Sequence, residues 1–120
     1  MTIAPDFQQL QIQHIDDEAC RRFQWAIELV GKRWSGGILL ALARGATRFS
    51  EVLELVDGLS DRLLAARLKE LESSQLIERT VVPTTPVQIR YRLTSRGDDL
   101  LRSMQPLHAW EERWRGTPEA

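Results

Sequence analysis

From residue 23 to residue 71 the apolar residues return every third or fourth position. Residues 76 to 82 are rich in β-branched types, from 87 to 93 apolar and polar positions alternate, and from 100 to 114 the longer period resumes. A period near 3.6 marks one face of a helix, and a period of two marks one face of a strand. The pattern predicts four helices, a hairpin and a closing helix. Phe23, Ala26, Ile27 and Val30 form the first stripe, with Asp16 as N-cap, Asp17 and Glu18 at the positive end of the helix dipole, and Gly31 as the stop. Trp34, Ile38 and Leu42 form one face of the second helix, within KRWSGGILLALARG, which Gly45 ends. Gly36 and Gly37 each cost that helix about 1 kcal/mol against alanine, so either another backbone packs closely there or the turn is loose. Phe49, Val52, Leu53 and Val56 line a short third helix that closes at the Asp57-Gly58 turn.

Ser60 caps the fourth helix. Its leucines, Leu64, Leu68 and Leu71, share the core-facing side, and Arg62, Ala66, Lys69 and Ser73 take the opposite side with Ala65 beside them. Arg67 projects to the flank of the leucine stripe, where it suits a neighbouring carboxylate or a phosphate better than a base. Leu76 to Val82 and Val87 to Leu93 read as strands, separated by PTTP. In the second strand Val87, Ile89, Tyr91 and Leu93 alternate with Gln88, Arg90 and Arg92, giving the hairpin one apolar and one basic face. Thr94 or Ser95 opens the last helix, with Leu100, Met104, Leu107, Trp110 and Trp114 as its stripe and Pro106 as a kink inside it. Two tryptophans close to a chain end imply core packing or a subunit interface. Residues 1–15, with scattered apolar positions such as Phe7 and Leu10, read as an arm that needs a partner surface to be ordered.

Composition narrows this picture. At 120 residues, 42% hydrophobic and 28% charged, the chain is one globular domain, mainly α with a small β-hairpin. No apolar run approaches the roughly 18 residues of a membrane span, and the N-terminus lacks a secretory pattern, so a cytoplasmic protein is expected. The net charge of −1 argues against nucleic acid, but its distribution does not: residues 21–97 carry thirteen bases against eight acids, a local +5 between acidic ends. Screening makes that local surface the relevant quantity for a phosphate backbone. The single cysteine, Cys20, cannot form an intrachain disulfide or a metal pair, and His14 and His108 lie in no ligand motif. No nucleotide-binding, zinc-protease or nucleophile-elbow motif is present, so no catalytic residue, metal or cofactor is expected.

Helix, helix, helix and hairpin in this order make a helix-turn-helix followed by a wing. The B-DNA major groove admits one α-helix, which needs long donors near its N-terminus and small residues where its backbone comes close. Arg62, Ala65, Ala66 and Lys69 meet that demand, and Arg90 and Arg92 on the hairpin can lie along phosphates or reach a minor groove. The competing possibility is a winged-helix module that binds protein instead of DNA.

The motifs GKRW, RFSEV, GLSDRLLAARLKELE and LIERTVVPTTPVQIRYRLTSRG, with the C-terminal tryptophan pair, resemble the HxlR-type transcriptional regulators over roughly residues 20–115. The family pattern reads ISxRxLxxRLxELxxxGLIxRxxxxxxPxxVxYxLTxxG across the fourth helix and hairpin. The resemblance implies a bacterial homodimeric winged helix-turn-helix domain at 16–115, after the arm at 1–15 and before a tail at 116–120. It implies double-stranded DNA with a palindromic operator as partner, and repression as the expected outcome. The implied DNA-contacting positions are Arg48, then Ser60, Asp61, Arg62, Ala65, Ala66, Arg67 and Lys69 on the recognition helix. On the wing they are Thr84, Thr85, Arg90 and Arg92. N- and C-terminal helices pair across such dimers, here through Phe7, Leu10, Phe23, Ile27, Leu107, Trp110 and Trp114. Many members carry an oxidant- or electrophile-sensing cysteine before the first domain helix, close to Cys20. Here Arg21 follows in place of the usual proline, and the spacing to Trp34 is one residue longer. SGG replaces larger apolar residues after Trp34, which would open a small cavity for a ligand beside the dimer helices.

Overall fold

The computed structural model describes residues 17–118. Phe7, Leu10, His14 and Asp16 lie outside that range. The chain divides into two compact units with the boundary between Arg33 and Trp34.

The first unit contains α1, Glu18–Gly31. The side chain that caps it is Asp17, whose Oδ1 accepts from the Cys20 N–H at 2.7 Å, one residue later than expected. Cys20 is buried, and its Sγ accepts from Gln24 Nε2 at 3.7 Å. Gly31 ends the helix as expected. Phe23, Trp25 and Ile27 are exposed, whereas Ala26 and Val30 are half-buried.

The second unit runs α2 (Ser35–Ala43), α3 (Phe49–Leu55), α4 (Asp61–Ser73), β1 (Ile77–Val82), β2 (Gln88–Leu93), α5 (Ser95–Ser103) and α6 (Gln105–Trp114). Its core is assembled from the stripes read above: Ile38, Leu39, Val52, Leu64, Leu68, Leu71, Leu76 and Ile77 are all buried. Each such side chain contributes on the order of 2 kcal/mol by leaving water. Trp34 departs from expectation. It sits before α2 with φ 80°, in the left-handed region, so it does not share the Ile38–Leu42 face. Its ring lies over Gly58, where a Cβ would come within 3.3 Å of the indole. The two helix glycines meet side chains instead of another backbone: a Cβ on Gly36 would approach Met104, and one on Gly37 would touch Val56.

The strands pair antiparallel from Ile77↔Leu93 to Val82↔Gln88. Leu76 is not part of the first strand. Its N–H donates to Leu71 O at 3.0 Å and its carbonyl accepts from Thr94 N at 3.1 Å, so it belongs to the helix-to-strand turn. Val87 likewise precedes β2. The apolar hairpin face is covered only at its base, where Ile77 is buried and Tyr91 and Leu93 are half-buried; Val81, Val87 and Ile89 are exposed. Tyr91 N donates to Thr47 O at 2.7 Å, tying β2 to the segment before α3.

The expected single C-terminal helix is two. Pro106 does not kink a continuous helix; it stands in the first turn of α6, where its missing N–H has no helical partner to lose. Met104 closes α5 by donating to Leu100 and Leu101 carbonyls, and its own carbonyl accepts from Leu107 and His108. No residue of α6 is buried, and Leu107, Trp110 and Trp114 are each more than half exposed. No helix among the described residues is long and apolar enough to cross a membrane.

Candidate nucleic-acid interface

α4 starts where Ser60 Oγ accepts from the Leu63 N–H at 3.1 Å, which places Asp61 and Arg62 in its first turn. Leu64, Leu68 and Leu71 anchor one side at 0 to 2% exposure. The helical period then turns Arg62, Ala65, Ala66 and Lys69 outward, and all four are exposed. Arg62 and Lys69 make no ion pair with any described residue. Arg67 behaves differently. Its side chain is 17% exposed and pairs with Glu70 at 3.2 Å, the carboxylate tie expected from its flank position.

The start of α3 is organised by Glu51. Its carboxylate accepts from Arg48 N at 2.8 Å, Thr47 N at 3.0 Å and Thr47 Oγ1 at 3.2 Å. The backbone donor of Thr47, followed by that of Arg48, holds its carboxyl below the usual value. This bracket fixes Arg48 at the N-cap, exposed. From there Arg48 Nη2 donates to Gln88 Oε1 at 3.3 Å, and Arg90 Nη2 donates to the same oxygen at 3.1 Å. Gln88, which the residue pattern alone did not single out, gathers two guanidinium groups at the turn end of the hairpin, in its last pair with Val82. Alternation had already placed Gln88 and Arg90 on one face, but the reach of Arg48 depends on the Thr47–Tyr91 backbone bond.

Arg92 is engaged within the hairpin: Nε and Nη2 donate to Glu78 Oε2 at 3.1 and 2.9 Å. Both partners are at least half exposed, so the pair contributes little to stability and can be exchanged for another anion. Thr84 and Thr85 are exposed at the tip, where Thr84 Oγ1 donates to Pro86 O at 2.8 Å. Between α4 and the inner hairpin face runs a cleft of about 570 Å³, walled by Ala65, Ala66, Lys69 and Glu72 on one side and Arg79 and Tyr91 on the other. A second concavity, about 430 Å³, borders Trp34, Gly37, Leu40, Arg44, Leu55 and Val56. Gly37 borders this space, whose lining comes from α2, α3 and their flanking residues.

The assembly offers a free helix face with long donors and small residues, flanked by a protruding two-stranded flap bearing further cations. Comparison with known proteins gives the same architecture. Residues 29–119 match the model of the HxlR-like helix-turn-helix family. The HTH-type transcriptional regulator YodB of Bacillus subtilis is 41% identical over 95 residues, covering 79% of this chain and 85% of YodB. The solved reduced form of YodB superposes with a TM-score of 0.75 at 39% identity, covering 83% of this chain and 98% of that one. The redox regulator HypR in its reduced form gives a TM-score of 0.72 at 25% identity, covering 79% and 94%. With the recognition motifs, the helix-turn-helix and the hairpin in place, the chain belongs to the HxlR-like helix-turn-helix family of transcriptional regulators.

Proposed function

We propose that this protein is a dimeric, sequence-specific DNA-binding repressor, with residues 16–115 as its working domain and the cytoplasm as its location. α4 enters a major groove, and the hairpin lies on the flanking backbone or minor groove. The observation that carries this is the exposed α4 face: Arg62 and Lys69 stand clear of any protein partner among the described residues, with Ala65 and Ala66 between them. A surface evolved for protein contact would be depleted in such charges at its centre. Exposed apolar residues on α1 (Phe23, Ile27) and α6 (Leu107, Trp110, Trp114) support pairing with a second copy. Two copies would address half-sites about one helical turn apart in a palindromic operator.

Arg62 is assigned to base reading and Lys69 to a phosphate. Arg62→Ala should weaken binding to a duplex of the intergenic sequence beside the gene by about 1–3 kcal/mol and relax base preference at one position of each half-site. Unchanged affinity and unchanged preference in a gel shift would remove α4 from the groove. If the unsubstituted protein binds no duplex at any salt concentration, the protein-binding module becomes the better description.

Control by thiol oxidation at Cys20 is the effector mechanism we favour, since the comparison proteins include a redox regulator and Arg21 and Arg22 follow Cys20 directly in sequence. Cys20→Ser should bind DNA normally and lose its response to diamide. A variant that still responds points to a small ligand, for which the concavity at Gly37 is the place to look.

A further inference from the structure

We infer that the cleft between α4 and the hairpin is a seat for one backbone phosphodiester of the bound duplex, with Arg79 as its principal ligand and Lys69 and Tyr91 as its flanks. Strand alternation puts Arg79 on the inner face of β1, level with Tyr91 and between Ile77 and Val81, away from the outer face that carries Arg90 and Arg92. It is an exposed cation on a face whose neighbours are otherwise apolar or aromatic. Its guanidinium has no ion pair or hydrogen bond with any described residue, and neither has the Lys69 ammonium across the cleft or the Tyr91 hydroxyl. Three donors therefore border one concavity without protein acceptors to satisfy them. Ala65 and Ala66 line the same wall, so no long side chain fills the space, and Phe49 and Leu68 form an apolar floor.

The position explains why such a seat is needed. When a helix occupies a major groove and the flap beside it reaches toward the next groove, the sugar-phosphate ridge between the two grooves must pass between helix and flap. A positive concavity there accepts the ridge, and contacts to phosphate fix register without reading sequence. Glu72 also lines the cleft and opposes an anion. It lies one turn beyond Lys69 toward the C-terminal end of α4, so it marks the far limit of the seat.

Arg79 has this role only if the chain binds DNA as proposed above, and the test separates the two. Binding is measured by fluorescence anisotropy over a range of KCl concentrations, using the intergenic duplex and a scrambled duplex of equal length. Arg79→Gln should weaken both duplexes by a similar factor, about tenfold, and lower the slope of log K against log salt by about one per subunit. Arg79→Lys should retain most of the affinity, and Glu72→Gln should strengthen both duplexes. Arg79 touches no protein acceptor, so thermal unfolding of Arg79→Gln should match the unsubstituted protein. Wild-type affinity and slope for Arg79→Gln would overturn the seat while leaving the DNA-binding proposal intact. A loss confined to the intergenic duplex with an unchanged slope would also overturn it, because that is base reading. Failure of the unsubstituted protein to bind either duplex would instead overturn the proposed function.

Discussion

Gln75 holds a backbone conformation that its side chain does not favour. Its φ is 61°, in the left-handed region, where a Cβ costs about 1–2 kcal/mol. The surrounding bonds require it. Gln75 N donates to Glu72 O, Leu76 N donates to Leu71 O, and Gln75 O accepts from Thr94 Oγ1, so only three residues separate the end of α4 from the start of β1. The family pattern has glycine at this place. Gln75→Gly should therefore stabilise the protein by about 0.5–1 kcal/mol, offset in part by the freer unfolded chain. Its midpoint should rise by about 3 °C in a thermal melt; a lower midpoint would mean that the glutamine side chain is itself needed. Gly97 is a glycine for another reason. Its φ is ordinary, but a Cβ would drive into the Leu76 carbonyl, the same carbonyl that accepts from Thr94 N. Residue roles fixed by neighbours within a few positions were legible in advance: the Ser60 and Thr94 caps, the leucines of α4, and the tie of Arg67 to a carboxylate. Trp34 was not, because its conformation answers to Gly58, which lies two helices away.

At the scale of elements, the sequence placed every helix and strand of the second unit to within a residue or two, except at Pro106 and Trp34. Periodicity is blind to a helix that stops and restarts in phase, and α5 and α6 keep one apolar spacing across the break at Met104. Pairing between distant segments was equally hidden. The hydrogen bond from Tyr91 to Thr47 O makes the start of α3 a third edge of the hairpin, and Glu51 holds that edge by three bonds to Thr47 and Arg48. The folded state therefore depresses the Glu51 carboxyl below its ordinary value of 4.5. A depressed carboxylate stabilises the fold above its unfolded pKa, and that contribution is lost as pH falls through the folded value. Glu51→Gln should melt at a lower temperature than the unsubstituted protein at pH 7, and the gap should close as pH drops below 4.5. Because the same bracket positions Arg48 beside Gln88 and Arg90, the variant should also bind DNA less tightly at neutral pH. A gap in melting temperature that persists unchanged into acid would assign the loss to packing instead of charge.

For the whole molecule, the net charge of −1 gives little long-range attraction to DNA, so affinity must come from a local basic surface, which the proposed dimer would present twice. In the proposed complex one α4 and one hairpin would cover a single half-site. Joining two copies converts the second contact into an intramolecular event and multiplies affinity by about 10²–10⁴ without any new type of contact. The stripe available for that junction on α6 is Leu107, Trp110 and Trp114, spaced three and four residues apart and each more than half exposed. An aromatic row of this kind has no stabilising role within α6 itself, where no residue is buried. Trp110→Asp should consequently leave the helical circular dichroism of the second unit nearly intact. It should convert the protein to a monomer in sedimentation at micromolar concentration and weaken binding to a two-half-site operator by at least about 100-fold. Binding to a duplex with one half-site should change little, because α4 and the hairpin are untouched. If Trp110→Asp remains dimeric and binds the full operator normally, the junction lies elsewhere on the molecule, and α6 is not the element that sets the half-site spacing.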